Sequence, residues 1–322
     1  MARIKLIVDP ASVTSFEQPW IRPLISDLFD LVVYDPAVTY TLNDFIFATY
    51  QRELEPEPWY KSLREQGLRL IVDHVWDGDV DRTSEFSPDR MVLRNANWIW
   101  YHSSIEWHHH GYHTYRPNRA YKHSFFMPIN KQRQHRDDTV RRLEPLLHTA
   151  LYSYVARGRE LAFNNQGTPA PWVSQFDPAW YDSTPYSIVV ESYMRTRYWA
   201  ANPHNYKTEI SEKSFKPIAH EHPFIIVGSA DTIKYLQREG FVTYDNLWSE
   251  AYDAVVEDRD RLDTVLTLVE SVVAEYDYRD FVLDAETQGR IRHNRNHFFD
   301  QDLVQRRFRQ EIVGDVREFT SA

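Results

Sequence analysis

The chain has no cysteine, and only nine of its 322 residues are glycine. The missing cysteines exclude disulfides, thiol nucleophiles and thiolate-held zinc or iron–sulfur sites, and they fit a reducing cytosol. The shortage of glycine leaves neither a G-x-G-x-x-G nor a G-x-x-x-x-G-K-[ST] motif, so a phosphate would have to be held by side chains and helix N-termini. No run approaches the roughly 18 apolar residues of a membrane span. The opening "MARIKLIVDP" has too short an apolar run for a signal peptide and reads as a first strand. A cytoplasmic chain without a membrane partner is expected. It is nevertheless 42% hydrophobic and 15% aromatic, enough for sizeable cores, and its length suggests two domains.

Short apolar runs alternate with helical patterns. "IKLIV" (4–8), "LVVY" (31–34), "FIFATY" (45–50) and "LRLIVDHVW" (68–76) read as strands, with a helix over 57–67 closed by Gly67. After a connector, "YRPNRAYKH" (115–123), the grammar repeats: "SFFMPI", a helix from His135 to Leu147, "ALYSYV", "YSIVVES", a helix opened by Ser211, "PFIIVG", a helix ended by Gly240, and "FVTY" as a further strand. This βαβ organisation predicts two mainly parallel, Rossmann-like sheets, with the halves packed around a cleft. Ligands of such sheets lie beyond the carboxyl ends of the strands, which singles out Asp9, Asp35, Asp73, His74 and Asp77 in the first half and Glu191, Gly228 and Ser229 in the second.

Two places combine helix starts with cations. In "SEKSFKPIAHEHPFIIVG" (211–228), a helix capped by Ser211 would offer free N–H groups and a positive dipole end, to which Lys213 and Lys216 add charge. Such a site suits a diphosphate, and the adjacent Glu212 can accept hydrogen bonds from a vicinal diol such as a ribose. The plainer alternative is a capped surface helix with a Lys/Glu pair. In "NKQRQHRDDTVRR", Arg133, His135 and Arg136 stand where a strand meets a helix, and the planar guanidinium fork suits a diphosphate. Alternatively, Arg136 pairs at the surface with Asp137 and Asp138.

Charge is uneven. Residues 90–142 hold ten Lys or Arg against three Asp or Glu, a balance of +7 in a chain of −10, leaving −17 for the remainder. Trp98, Trp100, Tyr101, Trp107, Tyr112, Tyr115 and Tyr121 interleave with these cations, a pattern able to track a phosphate backbone and stack on bases. Ordinary core aromatics beneath a wet basic face would look the same. The nearby "HHHGYH" places His108, His109, His110 and His113 close together, but adjacent residues fan apart on either a strand or a helix, so no metal site is expected.

Several stretches together resemble a family of bacteriophage and marine-virus glycosyltransferases: "RQHRDDTVRRLEPLL", "TPYSIVVES", "ISEKSFKPIAHEHPFIIVGSADTIKYLQREGFVTYDNLWSEAYD", "DRDRL" and "RHNRNHFFDQDLV". That family is distantly similar to the fucosyltransferase-type donor domain of two-domain GT-B enzymes. The resemblance spans about residues 95–315 and is specific in order and spacing from 125 to 262, while the first ninety residues carry little of it and "WYHSSIEWHHHGY" departs from it.

The resemblance implies a GT-B-like α/β chain with an acceptor-binding domain over 1–120, a donor domain over 121–290 and a C-terminal helix over 291–322 crossing back to the first domain. It implies that Arg136 and Lys213 bind the diphosphate of a UDP- or GDP-sugar and that Glu212 binds its ribose, without a metal. Arg133, Lys216, Glu191 and Gly228 belong to the same donor-site expectation, and Tyr252 with Asp253 is expected to order the adjoining loop. The base for an acceptor hydroxyl is sought in Asp73, Glu106 and Asp77, in that order. A viral relationship together with the basic aromatic segment raises hydroxymethylpyrimidine in DNA as acceptor, in a host cytoplasm. Arg94, Arg116 and Arg119 would then sit on phosphates, with Trp98, Trp100 or Trp107 against a flipped base. A glycan or protein acceptor, or a non-catalytic nucleic-acid-binding protein, is the alternative.

Overall fold

A computed structural model describes residues 4–8, 18–26, 29–50, 57–74, 90–92, 96–161, 177–194 and 210–321. The chain divides into two compact units, Met1–His109 with Gln301–Ala322, and His110–Asp300. The first contains β1 (Ile4–Val8), α1 (Arg22–Ile25), β2 (Phe29–Val33), β3 (Phe45–Tyr50), α2 (Pro58–Glu65), β4 (Arg69–His74), β5 (Arg90–Val92) and α3 (Ala96–His109). The second contains β6 (Phe126–Ile129), α4 (Gln134–Leu143), β7 (Leu151–Tyr154), α5 (Pro178–Asp182), β8 (Ser187–Val190), α6 (Glu212–Ala219), β9 (Phe224–Val227), α7 (Thr232–Arg238), α8 (Asp258–Glu275) and α9 (Ala285–Phe298), while α10 (Gln301–Ser321) belongs to the first unit.

Both sheets are parallel, as expected. Among the described residues their orders are β2-β1-β3-β4-β5 and β7-β6-β8-β9. In each, the chain adds its second strand on one side of the first and its third on the other. That reversal makes a topological switch point between β1 and β3, and another between β6 and β8, where side chains beyond the strand ends can surround a ligand. Every residue of β8, "SIVV", and β9, "FIIV", is buried, and after Ser187 all are large and apolar, the pattern of parallel strands covered on both faces. Each of these large side chains contributes about 1.5–3 kcal/mol by leaving water. Gly67 and Gly240 end their helices at φ +88° and +98°, a left-handed conformation that a Cβ would strain.

Two expectations are corrected. "FVTY" is not a strand: the Asn294 side chain satisfies its backbone, accepting from Val242 N–H at 2.7 Å and donating to Val242 O at 2.6 Å. The aromatic run 96–109 is not an open binding segment but the helix α3, packed against α10, and Trp100 and Trp107 are 0% exposed. Residues 110–120 and 291–300 group with the second unit. Tyr115 Oη donates to Asp182 Oδ1 at 2.5 Å, Ala120 N–H to Asp182 O at 2.8 Å, and Arg295 bridges Glu221 Oε1 at 2.5 Å to His113 O at 2.9 Å.

Two histidines lie in the core of the second unit. His220 stacks on Tyr181 at 4.3 Å and 17° and donates from Nδ1 to Lys216 O at 2.8 Å. His222 donates from Nε2 to Thr184 O at 2.6 Å and accepts from Ser187 Oγ at 2.8 Å. Burial lowers His220 to about 3 and His222 well below its usual range, so both are neutral in the folded protein. Below pH 6.5 the unfolded chain binds protons that the folded chain refuses. Stability is therefore full near pH 7 and falls with pH, by about 1.4 kcal/mol per unit for each histidine. Urea midpoints should drop between pH 7.5 and 5, with a shallower dependence in His220→Gln. Equal midpoints at both pH values would show that these imidazoles are not held neutral.

Candidate functional site at the second switch point

The strand ends of β6 and β8 hold most of the cationic candidates. After β6, Arg133 takes the extended N-cap position of α4, and the turn that follows brings His135 and Arg136 toward the end of β8. His135 Nε2 donates to Glu191 O at 3.0 Å, which fixes its tautomer because a carbonyl can only accept. Burial pushes this imidazole down to about 4, so it is a neutral donor. Arg136 donates to the same Glu191 O from Nε at 3.2 Å and Nη2 at 3.0 Å, and to Lys131 O at 2.9 Å from Nη1.

Arg136 is only 2% exposed. Its guanidinium ties the loops after β6 and β8 together through backbone carbonyls. It does not pair with Asp137 or Asp138: Asp137 accepts from Tyr154 Oη at 2.7 Å and Arg157 at 3.1 Å, and Asp138 pairs with Arg141 at 3.0 Å.

After β8, Glu191 is 1% exposed and its carboxylate is saturated by the start of α6. Oε1 accepts from Ser211 N–H at 3.1 Å and Ser214 Oγ at 2.6 Å, and Oε2 from Ser192 N–H at 3.2 Å and from Ser211 Oγ. Ser211 caps α6 as expected, its Oγ accepting from Lys213 N–H at 3.4 Å. The anion at this helix start is therefore the chain's own carboxylate, and the free N–H groups expected there for a ligand are largely taken. Lys213 Nζ lies 2.9 Å from Glu212 Oε1, 3.2 Å from Ser211 Oγ and 3.3 Å from Ser192 Oγ. Its side chain is 23% exposed and that of Glu212 12%, so the pair stands at the edge of the cluster and not deep inside it. Lys216 is half-buried on the same helix, and Arg133 lies over the Tyr193 ring at 5.8 Å.

Gly228 lies directly against Glu191. A Cβ there would meet Glu191 Cγ at 3.3 Å and Ile226 Cγ2 at 3.1 Å, so the close approach of β9 to Glu191 needs the missing side chain. Gly228 O accepts from Arg261 Nε at 2.9 Å. Arg261, 1% exposed, also donates to Val255 O, Val256 O and Met194 O and pairs with Asp258. It holds three loops together, a role that its position in "DRDRL" does not reveal because its partners are distant carbonyls. Tyr252 Oη accepts from Ile226 N–H at 3.2 Å, and the Asp253 carboxylate accepts from Ile233 N–H at 2.9 Å and Lys234 N–H at 3.1 Å, ordering the turn after β9.

Comparison with protein-family models gives no match, and neither does comparison with curated proteins. Among solved structures, one described as an α1,3-fucosyltransferase is similar at TM-score 0.43 and 10% identity, over 95% of this chain and 93% of that one. Two described as an α1,3-fucosyltransferase with GDP and with GDP-fucose reach TM-score 0.41 at 10% identity, over 95% and 94% of this chain and 94% and 93% of theirs.

Among the first unit's candidates, only Glu106, Trp100 and Trp107 have described side chains. Asp73 is on β4 with its side chain outside the described residues, and Asp77 and Arg94 lie outside them altogether, as does the side chain of Trp98. Glu106 is buried on α3, with His102 Nδ1 3.9 Å from its Oε2. Trp100 and Trp107, expected against a flipped base, are fully buried and present no face for stacking, and Arg307 of α10 lies over the Trp100 ring at 5.3 Å. The other two candidates belong to the second unit: Arg116 is exposed and donates to Tyr115 O at 2.9 Å, while Arg119 donates to Glu221 O. The basic segment is thus divided between two units, and much of its charge is committed to carbonyls and carboxylates. Among the described residues, no group of three or more His, Asp or Glu could hold a metal ion.

Because Arg136 is a buried tie, Arg136→Ala should destabilise the second unit by about 3 kcal/mol or more, through unpaired carbonyls and a cavity. Urea unfolding measures this. Unchanged stability would return Arg136 to the role of a ligand-binding cation.

Proposed function

We propose that the protein is a glycosyltransferase that takes a sugar from a nucleoside-diphosphate sugar and passes it to a hydroxyl acceptor. The observation that carries this reading is the convergence of two helix starts, Arg133–Arg136 and Ser211–Lys213, across Glu191 at the β6/β8 switch point. In this reading the Lys213 ammonium faces the diphosphate and stabilises the charge that builds on it as the glycosidic bond breaks, with Arg133 as the second cation. Glu212 accepts hydrogen bonds from the ribose diol. His135 and Arg136 keep the strand ends rigid, so the cations meet the transition state already in position. Gly228 is proposed to leave room beside Glu191, and Lys216 adds positive potential from the same helix.

The base for the acceptor hydroxyl is proposed among Asp73, Glu106 and Asp77, with Asp73 first because it stands at the carboxyl end of a strand. The buried Trp100 and Trp107 give no support to a hydroxymethylpyrimidine acceptor in DNA or to a nucleic-acid-binding role, so the proposal stops at a hydroxyl acceptor. In this reading clustered cations replace a metal, and turnover should persist in EDTA. Loss on chelation with recovery on adding manganese or zinc would refute that point.

A thermal-shift panel of UDP-, GDP- and dTDP-sugars tests the central reading. A ligand at 100 times its Kd adds about 2.7 kcal/mol of stability. One base should stabilise the protein clearly more than the others, Lys213→Ala should weaken turnover by about 2–4 kcal/mol in transition-state stabilisation, and Glu212→Gln should weaken every nucleotide alike. No stabilisation by any member of the panel would contradict the proposal.

A further inference from the structure

The direction of one proton at Ser211 sets what Lys213 can do. Glu191 lies too close to Ser211 Oγ for anything but a hydrogen bond, and with two backbone N–H groups and Ser214 Oγ already donating to the carboxylate, the Ser211 hydroxyl is the donor and its hydrogen points to Oε2. Both lone pairs of Ser211 Oγ are then turned the other way. One accepts the Lys213 N–H at 3.4 Å and the other the Lys213 Nζ at 3.2 Å. Ser214 Oγ, Ser211 N–H and Ser192 N–H complete the carboxylate's shell, and the two N–H groups among them have fixed polarity.

We infer that Glu191 is a positioning residue that acts through the Ser211 hydroxyl to hold the Lys213 ammonium, and that it does not itself touch the bound nucleotide. The geometry leaves no room for the second role, because a 1% exposed carboxylate with a donor on every side has nothing left to offer a ligand. A glutamine at 191 cannot replace it. Whichever way the amide turns, its NH2 faces a backbone N–H, of Ser211 or of Ser192. If the NH2 takes the Oε2 position, Ser211 Oγ must also accept from it and gives up one of its two bonds to Lys213.

The consequence for nucleotide affinity rests on the proposed function, but the effect on Lys213 does not, so the experiment reads both. The protein is labelled with ¹³C,¹⁵N-lysine, which leaves the ammonium unmodified, and the Lys213 side-chain signal is assigned with Lys213→Arg. The signal is followed in the wild type, Glu191→Gln, Ser211→Ala and Ser214→Ala, beside Kd values for GDP and UDP. Glu191→Gln and Ser211→Ala should both shift the Lys213 signal. Ser214→Ala, which removes a bond to Oε1 on the side away from Lys213, should leave it close to the wild type; a role in general packing would move all three alike and overturn the inference. Binding of the tighter nucleotide should weaken about tenfold in Glu191→Gln, with no further loss when Glu191→Gln is added to Lys213→Ala. Weakened binding with an unmoved Lys213 signal would make Glu191 a direct contact and overturn the inference. If neither GDP nor UDP binds the wild type while the signal moves as described, the positioning role stands and the functional reading falls.

Discussion

The second unit is organised around a single buried residue whose two polar ends point to different helices. The backbone carbonyl of Glu191 gathers the start of α4, taking hydrogen bonds from His135 and Arg136, and its carboxylate gathers the start of α6 through Ser211 and Ser214. A buried carboxylate is costly unless every lone pair is satisfied, and here serine hydroxyls and backbone N–H groups do that. β9 can approach this residue only because position 228 lacks a side chain. The switch point is therefore a rigid platform, and Lys213 and Glu212 at its edge inherit their placement from it.

This arrangement separates two kinds of cation that look alike in a sequence. Arg136 and Arg261 spend their guanidinium groups on backbone carbonyls, which bind loops together and leave little for a ligand. Lys213 keeps partial exposure and neutral or acidic neighbours, the condition under which an ammonium can turn toward an incoming anion. The positive charge available to a diphosphate is thus smaller than a count of basic residues suggests, and pre-organisation must supply what raw charge does not.

What the sequence made legible follows from how local each signal is. The continuous apolar runs of β8 and β9 reported their own burial, Ser211 announced a helix cap, and Gly67 and Gly240 marked helix ends. Signals that depend on distant partners were silent. "FVTY" has strand composition, but its backbone is satisfied by Asn294, some fifty residues away. Arg136 carries no mark of its burial, since its acceptors are the carbonyls of Lys131, Val190 and Glu191. In α3, tryptophans and tyrosines beside histidines fitted an open basic surface and a buried core alike, and only the packing, with α10 against that helix and Trp100 and Trp107 0% exposed, decides for the core. The topological reversal in each sheet was likewise invisible, because strand order is a property of pairing and not of any one strand.

The central claim is that a nucleoside diphosphate sits at the β6/β8 switch point. Amide hydrogen exchange with and without saturating GDP or UDP measures this directly, peptide by peptide. The account predicts added protection concentrated in two separate stretches, about residues 131–137 and 192–214, with little change in α3 and α10. Protection confined to the first unit, or none in either stretch at a nucleotide concentration shown to bind, would contradict it.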